Sequence, residues 1–172
     1  MKKFFIFLAV SLFTVSVFAQ TEQGKIRIGG DSGLNFLNSK FDGADDSMNN
    51  FDIGLGGSYF FIDNFAADVE LMFDYSKYGD EDAASTLGFG IGVRYYLPPK
   101  VFVGASFDVL NMKVSDESVS GTGVTLKAGY AAFLSDKIAL EPSVGYRIGL
   151  SDKDKGTKIN NLFVSVGFSF YF

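Results

Sequence analysis

The side chains with chemistry to offer in this sequence are carboxylates and a smaller set of bases. Asp31, Asp52, Asp68, Glu70, Asp74, Asp108 and Glu141 fall at polar positions inside otherwise apolar stretches, and so do Lys25, Arg27, Arg94, Lys127 and Arg147. Groups of this kind can pair with one another or line an ion path. The chain has no His and no Cys. The commonest general base, the thiolate nucleophile and the usual zinc ligands are therefore missing. The expectation is no catalytic residue, no cofactor and no metal centre.

Two short motifs invite a chemical reading and do not sustain it. Gly30-Asp31-Ser32-Gly33 matches a serine-protease nucleophile motif, but such a serine needs a His to take its proton. It reads as the glycine-containing start of a strand. Gly88-Phe89-Gly90-Ile91-Gly92 keeps a strict period of two with no helix behind it, so it is not a phosphate loop. The acidic clusters Asp42-Gly43-Ala44-Asp45-Asp46 and Asp80-Glu81-Asp82 could hold divalent cations against lipid phosphates. They lack the spacing of a calcium loop and read as solvated loops.

The bulk properties narrow the class. The 172 residues carry 15 Lys+Arg against 20 Asp+Glu, a net charge of −5. That balance argues against nucleic acid, whose phosphates demand a basic face. The absence of Cys excludes a disulfide framework, and the length suits a single domain. Residues 1–19 read as a secretory signal: Lys2 and Lys3, an apolar run from Phe4 to Phe18, then Val17-Phe18-Ala19 before Gln20. The apolar run is shorter than the roughly 20 residues a spanning helix wants. The mature domain is residues 20–172, working outside the cytoplasm.

What must position the charged residues is a set of strands. From Lys25 onward, apolar residues alternate with polar ones, predicting eight strands near 25–37, 51–60, 65–76, 87–95, 101–109, 124–130, 138–148 and 162–172. In the fourth, Leu87, Phe89, Ile91, Val93 and Tyr95 oppose Gly88, Gly90, Gly92 and Arg94. Tight turns at 61–64, 97–100 and 134–137 alternate with longer polar stretches at 38–50, 77–85, 111–121 and 151–159, the pattern of an up-and-down antiparallel barrel. The polar face is rich in Gly, which weakens a solvent-exposed strand but suits the inside of a narrow barrel. The other face is large and almost free of charge, as lipid contact requires. Its aromatics sort by height, with Tyr59, Tyr95, Tyr130 and Phe172 toward the short turns and Phe36, Phe51, Tyr75 and Tyr146 toward the long loops. Two such belts mark the two membrane interfaces. An all-β, eight-stranded transmembrane barrel follows. The charged residues named above, Arg27 through Arg147, then face its interior and pair into a network that plugs the lumen. Asp68 and Arg94 come out opposite each other.

With its signal segment, eight strands of alternating connection length and an ending Phe168-Ser169-Phe170-Tyr171-Phe172, the chain resembles the small OmpA/OmpX-like outer-membrane β-barrel proteins. The resemblance implies a Gram-negative outer membrane, periplasmic termini and four longer loops outside the cell. It implies outer-membrane lipid and lipopolysaccharide as partners, and a monomer. It also makes Phe168, Phe170 and Phe172 the signal read by the barrel-assembly machinery. Lipid-remodelling barrel enzymes use a catalytic His, which this chain lacks, and nothing after the last strand suggests a peptidoglycan-binding domain. The expected function is a non-enzymatic barrel serving envelope integrity or surface interaction through its loops. The alternatives are a small porin-like channel for ions or minor solutes and a soluble periplasmic lipocalin-like carrier.

Overall fold

Alternating side chains set the strands, and backbone pairing sets their order. The structure is a computed structural model that describes residues 20–33, 48–78, 83–114, 117–150 and 160–172. Its strands are β1 (Ile26–Gly33), β2 (Met48–Ile62), β3 (Phe65–Tyr78), β4 (Ala84–Leu97), β5 (Val101–Val114), β6 (Glu117–Tyr130), β7 (Ala132–Ser135), β8 (Ile138–Leu150) and β9 (Asn161–Tyr171). Each of β1 to β6 pairs antiparallel with the next, β6 pairs with β8, β8 with β9, and β9 with β1. β7 continues β6 past Ala131 and pairs with the start of β8, so the nine segments make eight staves. The sheet has no open edge, the condition lipid imposes on a spanning sheet.

The register carries a steady stagger. From Arg27 the row of partners runs through Ser58, Asp68, Gly92, Ser106, Thr125 and Arg147 to Asn161. Arg27 itself pairs with Tyr171, ten residues further along the same last strand. That offset tilts the strands against the barrel axis, as closure requires. Phe172 and Ile26 exchange backbone hydrogen bonds at 2.9 and 3.1 Å, so the last residue of the chain is stitched to the first strand.

Burial separates the two faces. Along β4, Leu87, Phe89, Ile91, Val93 and Tyr95 are exposed, while Gly88, Gly90, Arg94 and Tyr96 are buried. The outward residues form a continuous apolar coat that water would not tolerate and lipid does. Ile91 is 54% exposed at mid-strand. Ile91→Arg is expected to cost about 2–4 kcal/mol in urea unfolding from lipid vesicles, whereas Leu150→Arg at a loop-side strand end should cost about 0–1 kcal/mol.

Several strands run further than alternation predicts. β5 and β6 stay paired as far as Val114 and Glu117, so most of the expected loop at 111–121 is a hairpin. Its outward positions turn polar (Asn111, Lys113, Ser118 and Ser120), while Met112 and Val119 pair on the other face, because it rises beyond the apolar band. Side-chain bonds replace packing there: Asn111 Nδ2 donates to Ser120 Oγ at 3.0 Å, and Ser118 Oγ donates to Asn111 Oδ1 at 3.2 Å. β2, β3 and β4 extend toward the loops in the same way. The tight turns fall at the expected places. Asn64 takes a left-handed conformation with φ of 64°, which Asn tolerates better than most residues. The Asn64 amide donates to Thr21 O at 2.7 Å.

Candidate functional site: the barrel lumen

The lumen fills from the short-turn end upward. Its floor is aromatic: Phe60, Tyr96, Phe102 and Tyr171 are buried, with Ala66, Ala131 and Ala139 between them and Phe133 packed against the cluster. Tyr96 centres 5.7 Å from both Phe60 and Phe102, Phe133 centres 4.8 Å from Tyr171, and the Tyr96 and Tyr171 hydroxyls lie 2.9 Å apart. Below, Lys100 Nζ donates to Gln20 Oε1 at 3.0 Å and sits 3.7 Å above the Phe133 ring. Burial pushes the Lys100 ammonium below the ordinary lysine range, while nearby Asp136 acts in the opposite direction.

Glycine makes room for the floor and for inward side chains nearer the loops. A Cβ at Gly129 would run into the Phe102 ring and lie 2.6 Å from Pro142 O, and one at Gly145 would overlap Phe163. One at Gly123 would lie 2.6 Å from the Arg147 guanidinium. The glycines that look like poor strand residues are the sockets for inward side chains on the neighbouring strands. Gly129→Val is expected to destabilise the barrel by about 1–3 kcal/mol through overpacking. The check is the fraction of refolded protein that migrates as the compact form when unboiled.

Directly above the aromatic floor, Glu141 gathers four donors. Arg27 reaches it through Nε and through Nη2 at 2.5 Å, Arg94 Nη1 at 3.2 Å, and the Tyr171 hydroxyl at 2.5 Å. Arg94 also donates Nε to Asp68 Oδ2 at 2.9 Å, lies 3.9 Å from Glu70, and places its guanidinium 4.6 Å above Phe102. Arg27, Asp68, Arg94 and Glu141 are all buried. Charges taken out of water survive only when paired and hydrogen-bonded, and this hub meets that condition. Towards the loops a second tier pairs Lys127 with Asp31, and Arg147 with Asp108 at 2.6 Å. Thr125 Oγ1 adds a hydrogen bond to Asp108 at 3.0 Å. A cavity of about 200 Å³ lies over the hub, lined by Arg27, Asp68, Glu70, Arg94 and Lys127 among others.

The expected network is thus sorted by depth. Arg27, Asp68, Arg94, Asp108 and Glu141 are buried, and Asp31, Glu70, Lys127 and Arg147 are half-buried. Asp52 is half-buried and stands directly across from Asp74, which is exposed and so lies at the mouth rather than in the plug. Asp68 and Arg94 are not opposite each other: Asp68 pairs with Gly92 and Arg94 with Ala66. Their side chains meet on the diagonal, a reach that a long Arg allows.

Phe168, Phe170 and Phe172 face outward, with the first two edge-to-face at 5.2 Å. Tyr59, Tyr95, Tyr75 and Tyr146 are exposed, and Tyr130 is only half-buried. Phe51 occupies its place in β2. Phe36, residues 1–19 and the acidic clusters at 42–46 and 80–82 lie outside the described residues. The aromatic floor is what sequence reading missed. Its signal was parity, because Phe60, Tyr96 and Phe102 continue the inward positions of Ser58, Arg94 and Gly104.

Comparison with known proteins gives the same architecture. Neisserial surface protein A superposes with a TM-score of 0.62 at 10% identity, covering 86% of this chain and 96% of that one. Ail of Yersinia pestis, in a phospholipid bilayer nanodisc, gives 0.58 at 14%, covering 87% and 100%. The N-terminal β-barrel domain of Pseudomonas aeruginosa OprF gives 0.53 at 17%, covering 87% and 98%. At these identities the likeness is one of fold. No curated protein matches the sequence. The family model for the outer membrane protein beta-barrel domain matches residues 5–172. With a closed eight-stave barrel coated in apolar side chains, the chain belongs to that outer membrane protein family.

Proposed function

We propose that this protein is a sealed, non-catalytic wall element of the outer membrane, held by lipid and lipopolysaccharide, that serves envelope integrity or surface contact through its longer loops. Its termini lie on the periplasmic side, and a cleaved signal at residues 1–19 delivers it there. The barrel-assembly machinery engages its last strand through Phe168, Phe170 and Phe172. The observation that carries this reading is the lumen floor. Glu141 is tied to two arginines and a tyrosine directly over a fully buried aromatic layer, a construction that stabilises a wall and offers solutes no passage. The reading is tested by removing the protein from its host and restoring either the full chain or a chain with shortened loops. The full chain is expected to restore resistance to detergent, and the loop-shortened barrel to fail although it still reaches the outer membrane. Equal rescue by both would remove the loops from the account.

A small channel is the second reading, favoured by the charged cavity over the hub. It requires Arg94, Glu141 and the aromatic floor to move together.

A further inference from the structure

Residues 20–25, ahead of β1, are built into the short-turn end of the barrel. The Asn64 amide bond to Thr21 O is matched by Thr21 Oγ1, which donates to Asn64 Oδ1 at 2.6 Å. The Gln23 amide donates to Asp63 Oδ1 at 2.8 Å, and the Gly24 amide to Phe60 O at 2.7 Å. Gln20, at the head of this strap, is 5% exposed, and its Oε1 accepts the hydrogen bond from Lys100 Nζ.

Lys100 reaches Gln20 from a strained backbone. Its φ of 97° lies in a region that side-chain-bearing residues rarely enter. The turn holds it there: the Lys100 amide donates to Leu97 O at 2.7 Å, and the Ala131 amide donates to Lys100 O at 2.9 Å. Strain of this kind persists only where the surroundings over-determine it, and it gathers at positions with a task. The task visible here is to set a cation against the carboxamide oxygen of Gln20.

We propose that Gln20, as the first residue of the mature chain, closes on itself to pyroglutamate while Lys100 holds the carbonyl under attack. The proposal rests on the signal cleavage after Ala19 in the proposed function. The α-amine, in its neutral form, attacks Cδ of its own side chain, and the new N–Cδ bond closes a lactam ring. The Cδ–Nε2 bond breaks. One proton passes from the attacking nitrogen to the leaving one, which departs as ammonia, so no oxidant, reductant or co-reactant is consumed. Negative charge builds on Oε1 during the attack, and a donor fixed at that atom lowers the barrier. Amine and carbonyl belong to one residue, so no encounter has to be awaited. The product fits the same contact. Oε1 remains as the lactam oxygen and keeps its bond to Lys100, while the nitrogen that is lost takes no part in it. An open chain would keep an α-ammonium at this buried position beside the Lys100 ammonium, two like charges withdrawn from water. Closure leaves one.

The test is intact-mass measurement of the full chain, expressed with its leader and purified from the outer membrane, followed by sequencing of its terminal peptide. Residues 20–172 are expected, lighter by one ammonia, with a blocked amine that pyroglutamyl aminopeptidase reopens. Gln20→Glu, which would have to expel water from a carboxylate, should keep a free amine. Lys100→Met, of similar length but without the cation, should slow closure at least about tenfold, read as the free-amine fraction over time after export. Compact migration on an unboiled gel verifies each fold. A chain that starts at Gln20 with a lasting free amine and an intact carboxamide overturns the proposal and leaves the signal reading standing. A chain that starts elsewhere overturns the signal reading and the proposal with it. Closure of Lys100→Met at the wild-type rate overturns the role given to Lys100.

Discussion

Glu141→Leu is expected to lower the unfolding free energy of the barrel by about 3–5 kcal/mol, the cost of leaving buried charge without its partner. Glu141 is the only carboxylate that Arg27 meets among the described ion pairs; its other described side-chain contact is Ser58 Oγ at 3.5 Å. Arg94 keeps Asp68 after the change, so most of the loss is Arg27's. Arg27→Leu added to Glu141→Leu is therefore expected to recover part of the stability, because an apolar pair avoids the desolvation that a lone guanidinium suffers. The two changes should be strongly non-additive. Urea unfolding from lipid vesicles reads both effects. A loss below about 1 kcal/mol for Glu141→Leu alone would mean that water reaches the hub, since solvated ion pairs are worth no more than that.

Phe102→Ala should cost a similar amount, about 3–5 kcal/mol, for a different reason. Its ring fills the space over Gly129, packs on Tyr96 and carries the Arg94 guanidinium. Removing it leaves a hole that the backbone of a closed barrel cannot collapse to fill, and takes a stacking contact from the arginine that binds both Asp68 and Glu141. The same unfolding assay measures the cost. Val103→Ala, one residue along and facing lipid, is expected to cost about 1 kcal/mol, because it removes apolar surface from lipid without opening a hole in the floor. Equal effects from the two would contradict the assignment of Phe102 to a packed interior.

The architecture was legible in the sequence because a barrel wall repeats one simple rule. Period-two alternation gave the eight staves and the short turns gave their direction. The glycine-rich face could be assigned inward because small residues belong there. Strand ends were less legible: in Asn111 to Gly121 the outward positions switch from apolar to polar (Asn111, Lys113, Ser118, Ser120) and the segment reads as loop, yet backbone pairing persists where side-chain bonds join those residues. The charges of the lumen were identifiable by parity, but their partners were not. An Arg side chain spans more than one row of the sheet, so Arg94 meets Asp68 diagonally, and Arg27 on β1 reaches Glu141 on β8 past the intervening β9. The aromatic floor was hidden for a related reason. Phe60, Tyr96, Phe102 and Tyr171 sit beside outward aromatics such as Tyr59, Tyr95 and Phe170, and only strict parity separates a membrane belt from an interior plug one residue away.

The proposed wall function requires a lumen closed by the Glu141 hub and the aromatic floor beneath it. Single-channel recording of the refolded full chain in planar lipid bilayers tests it most directly. A silent membrane is expected for the wild-type protein, and discrete steps only when Phe102→Ala and Glu141→Leu are combined. Regular steps from the wild-type chain would contradict it, and steps abolished by neutralising Arg94 would show that the lumen conducts past the hub.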